Sequence, residues 1–153
     1  MSNLAAIYTA IANVTVTASS VTPKAYDTSA LPDAIDARVP CRLLLPFGLL
    51  GEHGGDFSFA TFGSGGLGET NWQVTDLCLW RGASTGTGLK AVAPNMVFYE
   101  AAYLEALRAN RYLGLDNVEV KGVRLRAGVY EWPSGSAQWF EGVLCIVAIS
   151  EYL

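Results

Sequence analysis

The residues most suggestive of chemistry lie in FGSGGLGETNW, Phe62 to Trp72, which matches G-x-G-x-x-G at Gly63, Gly65 and Gly68. In a dinucleotide site that pattern must open directly into a helix, whose free amides and dipole then face the pyrophosphate. Here the glycines lead instead into Trp72 to Arg81, a β-branched, aromatic and aliphatic run bounded by Gly68 and Gly82, which predicts a strand. A glycine-rich hairpin loop is therefore the simpler reading. A small nucleotide-binding domain or enzyme using the Gly63–Gly68 loop is the alternative from a different class. The Walker pattern is absent, because Gly86 and Gly88 are followed by Leu89 and not by Lys-Ser/Thr.

His53, the single histidine, lies between Glu52 and Asp56 in GEHGGD. No spacing singles out a serine nucleophile for it, and there is no G-x-S-x-G elbow. The acids Asp33 and Asp36 fall in a proline-containing loop, and Glu100 and Glu105 on a helix. They are too sparse for a hard-metal site or a carboxylate acid/base pair, and Glu105 with Arg108 at i, i+3 reads as a solvent-facing pair. Cys41, Cys78 and Cys145 are odd in number, far apart and without a C-x-x-C, so they read as small buried hydrophobes in a reducing compartment. The expectation is a protein with no catalytic residue, no cofactor and no metal, working through surfaces. Its tryptophans and tyrosines then read as core or subunit-interface anchors.

The elements that must position such surfaces centre on Asn71 to Tyr112: a long strand, a polar turn, and a helix with Met96, Tyr99, Tyr103 and Leu107 on one stripe. Trp80 is read as a buried anchor of that unit. Upstream, Leu4, Ile7, Tyr8 and Ile11 predict a helix over Asn3–Ala12, capped by Ser2 or Asn3, and Val14–Val21 alternates as a half-exposed strand. Thr22–Asp36, with Pro23 and Pro32, is longer than most connections, and serves either as contact with a neighbouring subunit or as a surface crossover. Val39–Phe47 is a strand with prolines near its ends. Gly48–Gly68 holds eight glycines with Phe57, Phe59 and Phe62 between them, which suggests a hairpin arm, either a binding element or a hairpin lining.

Downstream, Gly114 is placed to end the helix, with Arg108 and Arg111 near its negative end. Val118–Trp132 switches phase at Lys121–Gly122, which predicts a bulge. After a turn at Pro133–Gly135, Trp139–Tyr152 is apolar on both faces, as a central strand or one covered by another subunit. The fold expected is a single α/β domain over 1–153, an α+β sandwich: a mixed or antiparallel sheet with one long amphipathic helix and a short N-terminal helix packed on it.

Half of the chain, 51%, is hydrophobic and 16% charged, and the mean hydropathy is +0.28. Yet no apolar run reaches the roughly 18 residues that cross a bilayer. Homo-oligomerisation is the economical way to hide that surface. A net charge of −4 and a pI near 4.9 argue against a surface that grips nucleic acid. Lys121, Arg124 and Arg126 form the only basic cluster, read as a solvated strand face or an intersubunit ion pair. The N-terminus lacks the pattern of a signal peptide, so synthesis in a cytoplasm is expected.

The run WQVTDLCLWRGASTGTGLKAVAPNMVFYEAAYLEALRAN carries a pattern met elsewhere: W-x-V-T-D-L-x-L-W-R at Trp72–Arg81, a turn ending at Gly88-Leu89, then a helix with Tyr99 and Tyr103. Upstream, ALPDAIDARVPCRLLLPFG leads a leucine–proline loop into a proline-flanked strand. With the N-terminal helix and apolar last strand, the chain resembles the tail terminator, or tail completion, proteins of long-tailed bacteriophages. That resemblance implies a structural virion protein of the tail and neck, assembled in the host cytoplasm as a homohexameric ring. Such a ring caps the tail tube protein, stops polymerisation and meets the head–tail connector. Another neck, connector or tail-tube component is the nearest alternative. Gly48–Gly68 is more elaborate than the family pattern, which leaves open the face that docks on the tube. A ring of six copies would carry roughly −24, so that DNA passes only as cargo and is not gripped. Phe57, Phe59 and Phe62, and Leu31 and Pro32 of the proline loop, are the candidate interface residues.

Overall fold

Ile7, Tyr8 and Ile11 give the first ten-residue helix, α1 (Leu4–Asn13), one buried face, and that face rests on a β-sheet. The structure, a computed structural model, describes residues 3–35, 37–46, 54–59, 68–83, 88–134 and 136–152; at 54–59, 88–92, 133, 134, 136 and 137 the description is of the backbone. After α1 come β1 (Lys24–Tyr26), β2 (Cys41–Leu45), β3 (Gly54–Phe59), β4 (Gly68–Gly82), α2 (Gly88–Ala109), β5 (Val118–Ser134) and β6 (Ser136–Tyr152). The six strands form one mixed sheet in the order β1-β2-β4-β6-β5, with β3 also paired to β4. Only β1–β2 is parallel. This is the α+β architecture expected from the sequence.

Because β6 occupies one edge of β4 throughout, β2 and β3 share the other and lie end to end along it. β2 covers Leu79 to Thr75, and β3 covers Gln73 to Gly68. Of the hairpin arm predicted over Gly48–Gly68, the antiparallel β3–β4 pairing is present, and residues 48–53 and 60–67 lie outside the described residues.

Both faces of the sheet are covered. On one, α1 and α2 bury Met96, Tyr99, Tyr103 and Leu107 against Val74, Cys78, Val143, Cys145, Val147 and Ile149. On the other, Ile35, with Leu31 and Val39 beside it, covers Leu43, Leu45, Leu77, Leu79, Leu144 and Ile146. β6 is therefore a central strand buried on both faces, which explains its unbroken apolar run. The bulge predicted at Lys121–Gly122 appears as a register shift between Val120 and Gly122.

Several elements differ from expectation. Val14–Val21 keeps its alternation, with Val14, Val16 and Ala18 buried between exposed neighbours, but it has no strand partner beyond an Ala18–Val21 bridge. Ser19 and Ser20, at φ 51° and 63°, make that turn, so the period reports packing on the core and not a ladder. Thr22–Asp36 is no plain loop, since it contains β1 and drives Ile35 into the second core. Strand β2 is shorter than Val39–Phe47, with a cis bond at Val39-Pro40 just before it. Helix α2 begins before Pro94 and ends at Ala109, not Gly114. There the Asn110 side chain donates to the Ala106 carbonyl at 2.7 Å, and Leu113 and Gly114 continue in left-handed turn geometry. Asn3 makes no side-chain cap; its backbone N–H donates to Glu151 Oε1 at 2.6 Å. Trp80 is half-buried, set edge-on to Tyr99 with ring centroids 6.1 Å apart.

Candidate functional site

The densest gathering of ionisable groups is inside the protein. Arg42 on β2 and Asp76 on β4 are 2% and 0% exposed and face the helices, with Nη2 donating to Asp76 Oδ2 at 2.6 Å. Arg42 Nη1 and Nη2 also donate to the carbonyls of Val14 (2.6 Å) and Ile11 (3.0 Å), which satisfies the end of α1. Tyr103 of α2 donates its hydroxyl to Asp76 Oδ2 at 2.8 Å, and the guanidinium stands 5.6 Å from the centre of the Tyr103 ring. Burial opposes the Arg42 charge, but Asp76 and the two tyrosines outweigh it and hold its pKa above the usual value. Burial first, and then the Asp76 charge, raises the thiols of Cys78 and Cys145 and keeps them protonated. The cluster ties α1, β2, β4 and α2 together and presents no nucleophile to solvent. No motif flags it, although one signal was available: CRLLL and VTDLCLW each carry a single charge in an otherwise apolar strand, and such charges need each other.

The outward-facing surface is a different matter. On α2, Ala93, Pro94, Val97, Phe98, Ala101 and Leu104 are all exposed, Val97 at 64% and Phe98 at 58%. They recur at helical spacing, so α2 is apolar on its outer side as well as on the stripe it buries. The same face of the sheet carries Trp139, 53% exposed, and Val129, 42% exposed, by alternation with Glu141 and Val143. They sit at the end of the sheet where the Ala83 N–H donates to the Trp139 carbonyl and where Trp80 meets Tyr99 of α2. Among the described residues this is the main concentration of exposed large apolar side chains. Sequence spacing reveals the buried stripe of α2 but does not flag Val97, Phe98 or Leu104, because their exposure depends on which side of the helix the sheet takes.

The residues expected to form the interface are dispersed. Leu31 and Pro32 are half-buried, and Leu31 packs on the second core, so much of its surface is already used within the protomer. Phe57 and Phe59 lie on β3 opposite Thr70 and Gly68. Their side chains lie outside the described residues, as do Phe62 and His53 altogether. Gly68 opens β4, so no helix N-terminus succeeds the glycine triplet and the dinucleotide geometry is not formed.

Among the described residues no three His, Cys, Asp or Glu side chains are grouped to hold a metal, and no helix is long and apolar enough to cross a membrane. No family model matches the chain, and no curated protein matches it.

Proposed function

We propose that the chain is a structural virion protein of a long-tailed phage, forming a homo-oligomeric ring that caps the tail tube and joins it to the head–tail connector. The observation that carries this reading is the apolar outer face of α2, together with the exposed Trp139 and Val129 on the helix-bearing face of the sheet. Large apolar side chains left exposed on one face of a helix and on the sheet strands call for a protein partner. The sheet adds two dissimilar margins, β1 with β3 at one side and β5 at the other, as a closed ring of identical copies requires. The resemblance over Trp72–Asn110 supplies the family, and the α+β fold agrees with what that family implies.

Sedimentation velocity and native mass spectrometry of the purified chain are expected to give a ring, hexameric if the resemblance holds. Electron microscopy with tail tubes is expected to place it at tube ends. Phe98→Asp changes an exposed side chain, so stability should stay within about 0.5 kcal/mol of wild type while assembly or tube capping is lost. A chain that stays monomeric at high concentration and ignores tube ends overturns the proposal.

A further inference from the structure

The basic cluster divides in two once it is placed on β5. Lys121 Nζ contacts Glu119 Oε2 at 2.6 Å, and Arg111 pairs with the same carboxylate from the turn after α2. Arg124 and Arg126 are exposed and have no ion-pair partner among the described residues. They stand opposite Ile146 and Leu144, on the sheet face turned away from the helices. The backbone beneath them is braced: the Tyr130 hydroxyl donates to the Arg126 carbonyl at 2.6 Å, with the Tyr130 ring 3.7 Å from where a side chain on Gly128 would sit.

The segment covering that same face leaves from β1 and returns to β2, the margin of the sheet opposite β5. Leu31, Ile35 and Val39 point down into the core, whereas Asp33 is exposed and has neither hydrogen bond nor ion pair among the described residues. The cations near it are engaged: Arg38 donates to the Ala34 carbonyl at 3.0 Å, and Lys24 stands 5.0 Å from the centre of the Tyr26 ring. Asp27 is held by Thr9 and Thr28.

We propose that Arg124 and Arg126 of one copy receive Asp33 of the next, so that β5 at the edge of one sheet meets the β1–β2 segment of the neighbour head to tail. The contact rests on the ring reading and specifies which margins close it. Unpaired charges of opposite sign on two different elements, β5 and the β1–β2 segment, are what a heterologous contact between identical subunits needs. A polyanion such as DNA is the poorer occupant, because duplex-binding surfaces neutralise several phosphates and this face offers, among the described residues, Arg124 and Arg126 as free cations on a chain of net charge −4.

The experiment is a charge swap followed by sedimentation velocity, with circular dichroism as the folding control. Arg124→Glu/Arg126→Glu and, separately, Asp33→Lys are expected to weaken assembly about a hundredfold. The chain carrying all three substitutions should assemble again, and wild-type assembly should weaken with added salt. If wild type assembles and the reversals do not disturb it, or if the triple variant is not rescued, this contact is wrong and the ring reading stands. A monomeric wild-type chain overturns both. Reversals that leave assembly intact but abolish retention on immobilised duplex DNA assign the two arginines to the nucleic acid.

Discussion

Asp76 Oδ2 accepts from Arg42 Nη2 and from the Tyr103 hydroxyl in a space closed to water. Removing the carboxylate leaves a buried guanidinium held only by the carbonyls of Ile11 and Val14. Breaking a buried pair from one side typically costs about 3–5 kcal/mol, whereas replacing both charges by apolar groups of similar volume is often close to neutral. Asp76→Ala should therefore lower the urea-unfolding free energy by about that amount, and Arg42→Met/Asp76→Leu by clearly less than the sum of its single changes. A double variant as unstable as that sum would show that the two side chains do not act as a pair. At this scale the sequence is informative about packing and nearly silent about polar structure. The stripe Met96, Tyr99, Tyr103 and Leu107 is legible because helical spacing and apolarity suffice to define it. The Arg42–Asp76 pair is not, because the two residues are brought together by a strand register that no local pattern encodes.

Among the elements, the β4–β6 pair bears the most constraint, because both strands are long and buried. Between Leu79 and Arg81 the register shifts, and Gly142 sits at that irregularity. A Cβ on Gly142 would collide with the Cys78 carbonyl oxygen, and the three nearest atoms, from Cys78 and Leu79, are all backbone of the central strand β4. Gly142→Ala should destabilise by about 3 kcal/mol, the upper range for overpacking, or prevent folding. A thermal melt matching wild type would mean that β4 and β6 separate more easily than their register implies. Period-based reading found β4, α2, the β5 bulge and β6, each of which is long or strongly patterned. It took Val14–Val21 for a strand because burial alternates there without a neighbouring strand, and it missed β1 because three residues are too few to show a period. The second core was hidden as well, since Ile35 reaches it from a segment that looks like a loop.

For the molecule as a whole, buried weak acids set an alkaline limit on stability. Burial pushes the Cys41 thiol from 9.0 up to about 11, with Arg38 pulling the other way, and the Tyr8 hydroxyl from 10.0 up to about 12. Both groups hold their protons more tightly folded than unfolded. Their contribution is complete below pH 9.0 and 10.0 respectively and is lost as the pH rises through about 11 and 12. The urea midpoint should be level from neutral pH to about 9 and then fall, and Cys41→Ala should make that fall shallower without abolishing it, because Cys78 and Cys145 contribute to it as well. A midpoint unchanged to pH 11 would contradict the burial of these groups. At this scale the composition, 51% hydrophobic and 16% charged, leads to the expectation that apolar surface is hidden against another copy. It does not predict where. The phenylalanines of the glycine-rich arm stand out in the sequence, while the exposed apolar side chains of α2 emerge only when the sheet has claimed the helix's other side.

The end-to-end placement of β2 and β3 separates two properties that most sheets couple. Leu45 stands opposite Thr75 and Gly54 opposite Gln73, so β2 ends and β3 begins with one residue of β4, Val74, between their partners. Residues added or removed between those points leave both flanking registers, and therefore the face each side chain occupies, unchanged. Lengthening such a connection costs only a fraction of a kcal/mol for each doubling. Register along β4 is thus held by β2 and β3 separately, each through its own set of pairs.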